Sequence, residues 1–404
     1  MDILNLGERL RSARERRRIS LQFVSEAIGL PQSEVTNIET GKRSVSTLEL
    51  TRMTELYGQP AAYFLDEPDQ EDNISVVLHR AIPEITEQPE INQAIGNIIN
   101  LCKEGSSLKI MLNQSIDQDV PDYSTRMFHV DKAIYQAQNI AQEERRRLGL
   151  DNAPIGNIAK TITDQGIWTA STDLPKGLSG FFVNYPTVGT AILINAGDSA
   201  VHRRFSYAHE YAHALFDRKP ESVTATRLKN ISELVEKRAN AFAAAFLMPA
   251  EGIAEKLAKF DKRHLSHAEI IFDGNNNVTI EEKIQSRLGS QVITYQDVAV
   301  LAKHFGVSYE SAIWRLKSLH YVDQDSTETL IQKRKTGNHY IKLLDDHNGV
   351  KHEPLPELEL RNQLIYLALE AYRQGEISRG RIFEISRKIS INPVEMIELA
   401  EPPE

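Results

Sequence analysis

In the segment FSYAHEYAHALF, His209 and His213 stand four residues apart with Glu210 between them. On a helix that spacing projects both imidazoles from one face, where they can share a metal ion. Two His and a third protein donor leave one position of a four-coordinate catalytic zinc open for water. Glu210 is then placed to take a proton from the attacking water and return it to the leaving amine, which is peptide-bond hydrolysis. The chain holds 12 His, and random composition gives on the order of 0.02 matches to His-Glu-x-x-His. Context decides the rest: Tyr207, Ala208, Ala212 and Leu215 supply the packing face of a helix that follows a strand, as the motif requires.

A third donor is sought in the next helical stretch, ISELVEKRANAFAAAFLMP, which offers Glu233 and Glu236 one turn apart. Glu236 is the better candidate. Alanines at 239, 241, 243, 244 and 245 keep this helix narrow, so that it can pack closely on the motif helix. Asp217, four residues after His213, shares the metal face if the helix continues, and ranks lower. His79, His202, His304 and His320 have no partner at ligand spacing and read as packing or surface residues. A His, His, carboxylate set suits zinc, with manganese or another divalent ion as alternatives. The single cysteine, Cys102, excludes a cysteine-based zinc site and an intramolecular disulfide framework.

Positioning these groups takes more than one domain, because 404 residues exceed what a single core usually organises. No apolar run approaches the roughly 18 residues of a membrane span, and Met1-Asp2-Ile3 does not open a signal peptide. A cytoplasmic protein with no membrane partner is the expectation. The net charge of -9 argues against a globally basic nucleic-acid binder and leaves local clusters, such as Arg14, Arg16, Arg17 and Arg18.

The expected fold is α+β and mainly α. Residues 1–66 read as a helix-turn-helix head of short helices, and residues 67–130 as an acidic linker, DEPDQEDN, followed by a helical connector with Ile91, Ile95, Ile98 and Cys102 on one stripe. Residues 131–260 hold the chemistry: the strand-like runs GFFVNY and TAILIN, the motif helix, and the helix that stops at Pro249. Residues 261–320, expected to be a helical, helix-turn-helix-like part of the same half, contain the turn-rich FDGNNNV and continue as helices broken at Gly306, with Trp314 and Leu316 as core residues. Residues 321–404 form a helical module broken at Gly375 and Pro393. The edge of the TAILIN strand is expected to pair with an extended substrate.

In the head, ISLQFVSEAIGLPQSEVTNIETGKR closes one short helix at Ala27 and Gly29 and buries Val35 and Ile38 of the next, which is helix-turn-helix spacing. The second helix would present Gln32, Ser33, Thr36 and Asn37 to base edges and phosphates, with Lys42 and Arg43 on the DNA backbone. Through Leu65 the head has nine Lys or Arg against eight Asp or Glu, so dimerisation is expected to supply affinity.

The run LSGFFVNYPTVGTAILINAGDSAVHRRFSYAHEYAHALF with EKRANAFAAAFLMP resembles the ImmA/IrrE family of metallopeptidases over roughly residues 135–320, and the head resembles an XRE-type helix-turn-helix. The resemblance implies a zincin-like domain in which His209, His213 and Glu236 hold zinc, and a substrate class, a helix-turn-helix repressor. The expected function is a transcription-linked regulator with a zinc endopeptidase, whose head raises the local concentration of its substrate. The alternative is a DNA-binding regulator or antitoxin/immunity component whose peptidase-like domain senses or binds a partner with little hydrolysis. The intact His, Glu, His set favours hydrolysis.

Overall fold

Short-range signals build the N-terminal unit, Met1–Asn73. In the computed structural model its helices are α1 (Ile3–Arg16), α2 (Leu21–Ile28), α3 (Gln32–Glu39) and α4 (Thr47–Tyr57). The Ser20 side chain caps α2 by accepting from the Phe23 N–H, and Gly29 ends it at φ +78°, a left-handed conformation that glycine adopts without strain. Leu10, Val24, Ile28, Val35, Ile38, Leu50 and Met53 close a small core. Beside it Arg14 donates to both oxygens of Glu39 at 2.7 and 2.8 Å, so the buried cation and anion satisfy each other.

The described residues are 3–16, 19–57, 64, 74–115, 120–124, 130–219, 221–227, 234–259, 266–273, 277–284, 292–346 and 357–400. The acidic linker, residues 66–73, Glu233 and the middle of FDGNNNV lie outside them.

The second unit, Ile74–Glu404, opens with α5 (Ile74–Ala81), a 3₁₀ turn (Pro83–Glu87), α6 (Pro89–Met111), α7 (Val130–Arg147) and α8 (Ile158–Thr163). Strands β1 (Trp168–Thr172), β2 (Leu178–Tyr185) and β3 (Gly189–Asn195) precede α9 (Ala200–Phe216). Then come β4 (Ser222–Arg227), α10 (Leu234–Leu247), α11 (Ala250–Ala258) and a hairpin of β5 (Ser266–Asp273) and β6 (Asn277–Ile284). The chain continues through α12 (Tyr295–Phe305), α13 (Tyr309–Ser318), α14 (Gln324–Gln332) and α15 (Arg334–Asp346). It ends in α16 (Glu357–Arg373), α17 (Arg379–Lys388) and α18 (Pro393–Ala400). The mainly α, α+β architecture is as expected.

The sheet order is β1-β3-β2-β4, with β1 parallel to β3 and the other pairs antiparallel. Both faces are buried, which is why FFV and AILI read as continuous apolar runs. Phe182, Ile192 and Ile194 face the core built on α9, α10 and α7. Phe181, Val183, Ala191 and Leu193 face a second core with Ile95, Ile99, Leu364, Leu367 and Ile385. Residues expected to be a connector and a separate tail therefore form one layer behind the sheet. Glu104 of α6 locks that layer, accepting from Arg381 at 2.6 Å and Lys388 at 2.9 Å.

One core expectation is corrected. Leu316 is fully buried, but Trp314 is 53% exposed, with the Lys317 ammonium 5.2 Å from its ring centroid. It sits on the outer face of α13, between the inward Ile313 and Arg315.

Candidate metal centre

Helix α9 starts at a Ser199 cap and is buried along most of its length, so His209, Glu210 and His213 enter the interior on a fixed backbone. Helix α10 packs beside it with Ala239, Ala243 and Ala245 buried, and brings in Glu236. Its far end is tied down by cations: Arg145 donates to the Phe246 carbonyl, and Arg315 donates to the Met248 carbonyl at 3.0 Å. These contacts satisfy carbonyls that the end of the helix leaves open.

His209 Nε2 lies 3.1 Å from Glu236 Oε2 and 3.1 Å from His213 Nε2, and His213 Nε2 lies 3.6 Å from Glu236 Oε1. Ligand atoms around a tetrahedral zinc with bonds of about 2.0–2.1 Å stand about 3.3–3.4 Å apart. The three donors thus already have the spacing of one face of such a site, and all three residues are buried. Glu233 lies outside the described residues.

Each imidazole is held from behind. His209 Nδ1 is 3.0 Å from Asn240 Oδ1, and His213 Nδ1 is 2.9 Å from Asp217 Oδ2. Helix α9 ends at Phe216, and its C-cap residue Asp217 turns toward the rear nitrogen of His213 rather than joining the ligand atoms. Neither Asn240 nor the role of Asp217 was foreseen, although each lies four residues after a ligand on its own helix, and that spacing was the available signal. Burial disfavours a charged His213, but its hydrogen bond with Asp217 and the nearby carboxylates outweigh burial and raise its pKa. For Glu236, burial pushes upward while the bond to His209 and the two imidazoles pull the pKa down.

Glu210 is wholly buried, and neither of its oxygens closes a hydrogen bond of good geometry; the Thr226 hydroxyl of β4 is the neighbour that faces it. Burial raises its pKa against the opposing pull of His213, His209 and the Thr226 hydroxyl. A buried carboxylate without a well-formed hydrogen bond is costly, and such strain belongs at functional sites. Opposite it on β2, a Cβ on Gly180 would fall 3.2 Å from Glu210 Oε1 and 3.1 Å from the Leu193 carbonyl, so glycine leaves the carboxylate its room. Gly180 pairs with Thr226 of β4, where the register shifts between Leu178 and Gly180.

Residues 162–317 match the family model described as the IrrE N-terminal-like domain, a peptidase family, and residues 5–63 match one described as a helix-turn-helix domain. The chain joins a helix-turn-helix domain to an IrrE-like domain. No curated protein matches it. The IrrE-like match begins in α8 and ends in α13, so it spans the sheet and both site helices. No helix among the described residues is long and apolar enough to cross a membrane.

The IrrE-like domain corrects the expected docking strand. TAILIN is β3, whose two edges are taken by β1 and β2, so no edge remains for a substrate. Among the described residues no strand pairs with the outer edge of β4.

In the helix-turn-helix domain Gln32, Ser33 and Thr36 are exposed on α3, and Asn37 is half-buried. The Thr36 hydroxyl donates to the Gln32 carbonyl at 2.9 Å. Lys42 is exposed, whereas Arg43 pairs with Glu34 at 3.0 Å and with Glu49 at 2.8 Å. Arg43 is therefore engaged within its own domain, and of the two expected backbone cations only Lys42 stands clear of such a pair.

Proposed function

We propose that this protein is a transcription-linked regulator in which a zinc-dependent endopeptidase cleaves a repressor-type protein, with the helix-turn-helix domain docking on DNA. The observation that carries the reading is the convergence of His209 Nε2, His213 Nε2 and a Glu236 carboxylate oxygen beside the buried carboxylate of Glu210. A divalent ion held there supplies Lewis-acid polarisation of a peptide carbonyl and lowers the pKa of water. Glu210 takes the proton from the attacking water at a carboxylate oxygen and delivers it to the amine nitrogen as the C–N bond breaks. The buried walls around Glu210 exclude bulk water, which strengthens both transfers.

The outer edge of β4, the strand whose other edge pairs with Gly180 of β2, is the edge offered to an extended substrate segment. Backbone pairing of that kind gives affinity without demanding a long sequence motif. A proline scan of the substrate's cleavage region that leaves cleavage unchanged would count against this edge.

Gln32, Ser33, Thr36, Asn37 and Lys42 form the proposed DNA surface, acting in a homodimer. Zinc content and repressor cleavage, measured side by side for wild type, Glu210→Gln and His213→Ala, test the reading. Wild type is expected to hold zinc and cleave, Glu210→Gln to hold zinc without cleaving, and His213→Ala to do neither. Full biological activity of Glu210→Gln would overturn it.

A further inference from the structure

The rear of His213 carries a device that the ligand set alone does not require. Asp217 divides its two oxygens: Oδ2 lies 2.9 Å from His213 Nδ1, and Oδ1 accepts from the Arg238 guanidinium. Arg238 is 2% exposed, and its guanidinium carbon lies 4.5 Å from the Phe216 ring centroid. The Asp217 N–H donates to the His213 carbonyl at 2.8 Å, which fixes the backbone that carries the carboxylate. Asp217 is thus held from both sides, by its own helix and by a cation on α10.

A neutral imidazole has one N–H to place. With the proton on Nε2, His213 would donate toward Glu236 or His209, and the nitrogen facing the other ligands would have no lone pair for a metal. With the proton on Nδ1, it donates to Asp217, and Nε2 is free to bind. We propose that Asp217, clamped by Arg238, is the positioning residue that selects the metal-binding tautomer and orientation of His213. The inference rests on the metal-centre reading above. His209 has only a neutral acceptor, Asn240 Oδ1, behind it, so the charged partner, and with it the stronger control, belongs to His213. Arg238 and Glu236 share α10, so the helix that supplies a ligand also supplies the clamp for its neighbour.

The test uses full-length protein and the variants Asp217→Ala, Asp217→Asn and Arg238→Met. Zinc affinity is measured by competition with a chromophoric chelator, and the 15N shifts of the His213 ring are read in the metal-free state. Loss of an outer-shell partner of this kind lowers metal affinity about 10–100-fold. Asp217→Ala is expected to show that loss and a mixture of ring tautomers. Asp217→Asn, which keeps an oxygen in place without the charge, is expected to fall between it and wild type, and remains measurable if the alanine variant does not fold. A purely structural role would lower the unfolding midpoint of the metal-free protein and leave the ring shifts unchanged. Zinc affinity and ring shifts equal to wild type in Asp217→Asn and Asp217→Ala overturn the inference while leaving the metal centre standing. Wild-type protein that takes up no zinc refutes the metal centre itself, and the inference with it.

Discussion

Replacing Glu210 by methionine separates stability from chemistry. Both carboxylate oxygens are buried without a well-formed hydrogen bond, and burial raises the pKa despite two neighbouring imidazoles and the Thr226 hydroxyl, so the charged form is held at a net cost. An unsatisfied buried polar group costs about 1–3 kcal/mol, and a methionine of similar length and volume removes that cost without opening a cavity. The metal-free Glu210→Met protein should therefore unfold later than wild type by roughly 1–4 °C, scaling from the usual entropy of unfolding for a unit of this size. Glu210→Gln keeps an unpaired polar group and should gain little. Calorimetry in the presence of chelator reads the midpoint, and repressor cleavage, measured in parallel with zinc restored, should fall about 10²–10⁴-fold, the usual contribution of a general base. A lower midpoint for Glu210→Met would mean that the carboxylate stabilises the fold through contacts of its own. The carboxylate would then not be poised for proton transfer.

Arg43→Ala should loosen the helix-turn-helix domain, because it breaks the pairs with Glu34 and Glu49, whereas Lys42→Ala should leave the fold intact and reduce the salt slope of DNA binding by about 1; equal slopes for the two variants would return Arg43 to the DNA. The Arg43 hydrogen bond and the Ser46 N–H hold Glu49 at about 2, below its ordinary 4.5. Its stabilising contribution is complete above pH 4.5 and is lost as the pH falls toward about 2, so amide exchange in α3 and α4 should accelerate over that range in wild type and less in Glu49→Gln. A fragment limited to residues 162–317 should be insoluble or unfolded by circular dichroism, because it strips α6 and α16 from Phe181, Val183 and Leu193; a soluble, folded fragment would show that this layer is dispensable.

What was legible in the sequence was local. The Gly29 helix end, the Gly306 break and the i,i+4 spacing of His209 and His213 are decided within a few residues, and the structure repeats them. Glu236 was legible because it lies in the next helix of the same layer. Strand order was not, because the TAILIN segment has the same apolar pattern whether it lies at an edge or at the centre of a sheet buried on both faces. Trp314 was read inward on residue type alone, but helical periodicity turns the inward face of α13 to Ile313 and Leu316 and leaves position 314 outside. The layer behind the sheet was read as connector and tail because its parts come from residues 74–111 and 357–400, on opposite sides of the motif in sequence.

That layer also helps to fix the candidate ligand atoms at near-tetrahedral spacing. The site is an interface between two helices: α9 carries His209, Glu210, His213 and Asp217, and α10 carries Glu236, Arg238 and Asn240. Three hydrogen bonds join them, His209 to Glu236, His209 to Asn240, and Asp217 to Arg238, with the His213–Glu236 contact beside them. Each helix is then fixed from outside the pair. Tyr207 of α9 donates to the Ala170 carbonyl of β1 at 3.0 Å, and Tyr211 donates to the buried Glu144 of α7. The end of α10 is held by Arg145 and its loop by Arg315. Because β1 is in turn backed by α6 through Trp168, whose indole N–H donates to Ser106 Oγ at 3.1 Å, the position of His209 depends on residues about a hundred places earlier in the chain. The three candidate donors, two of them read from a short motif, are therefore brought together on helices whose placement depends on the covered far face of the sheet.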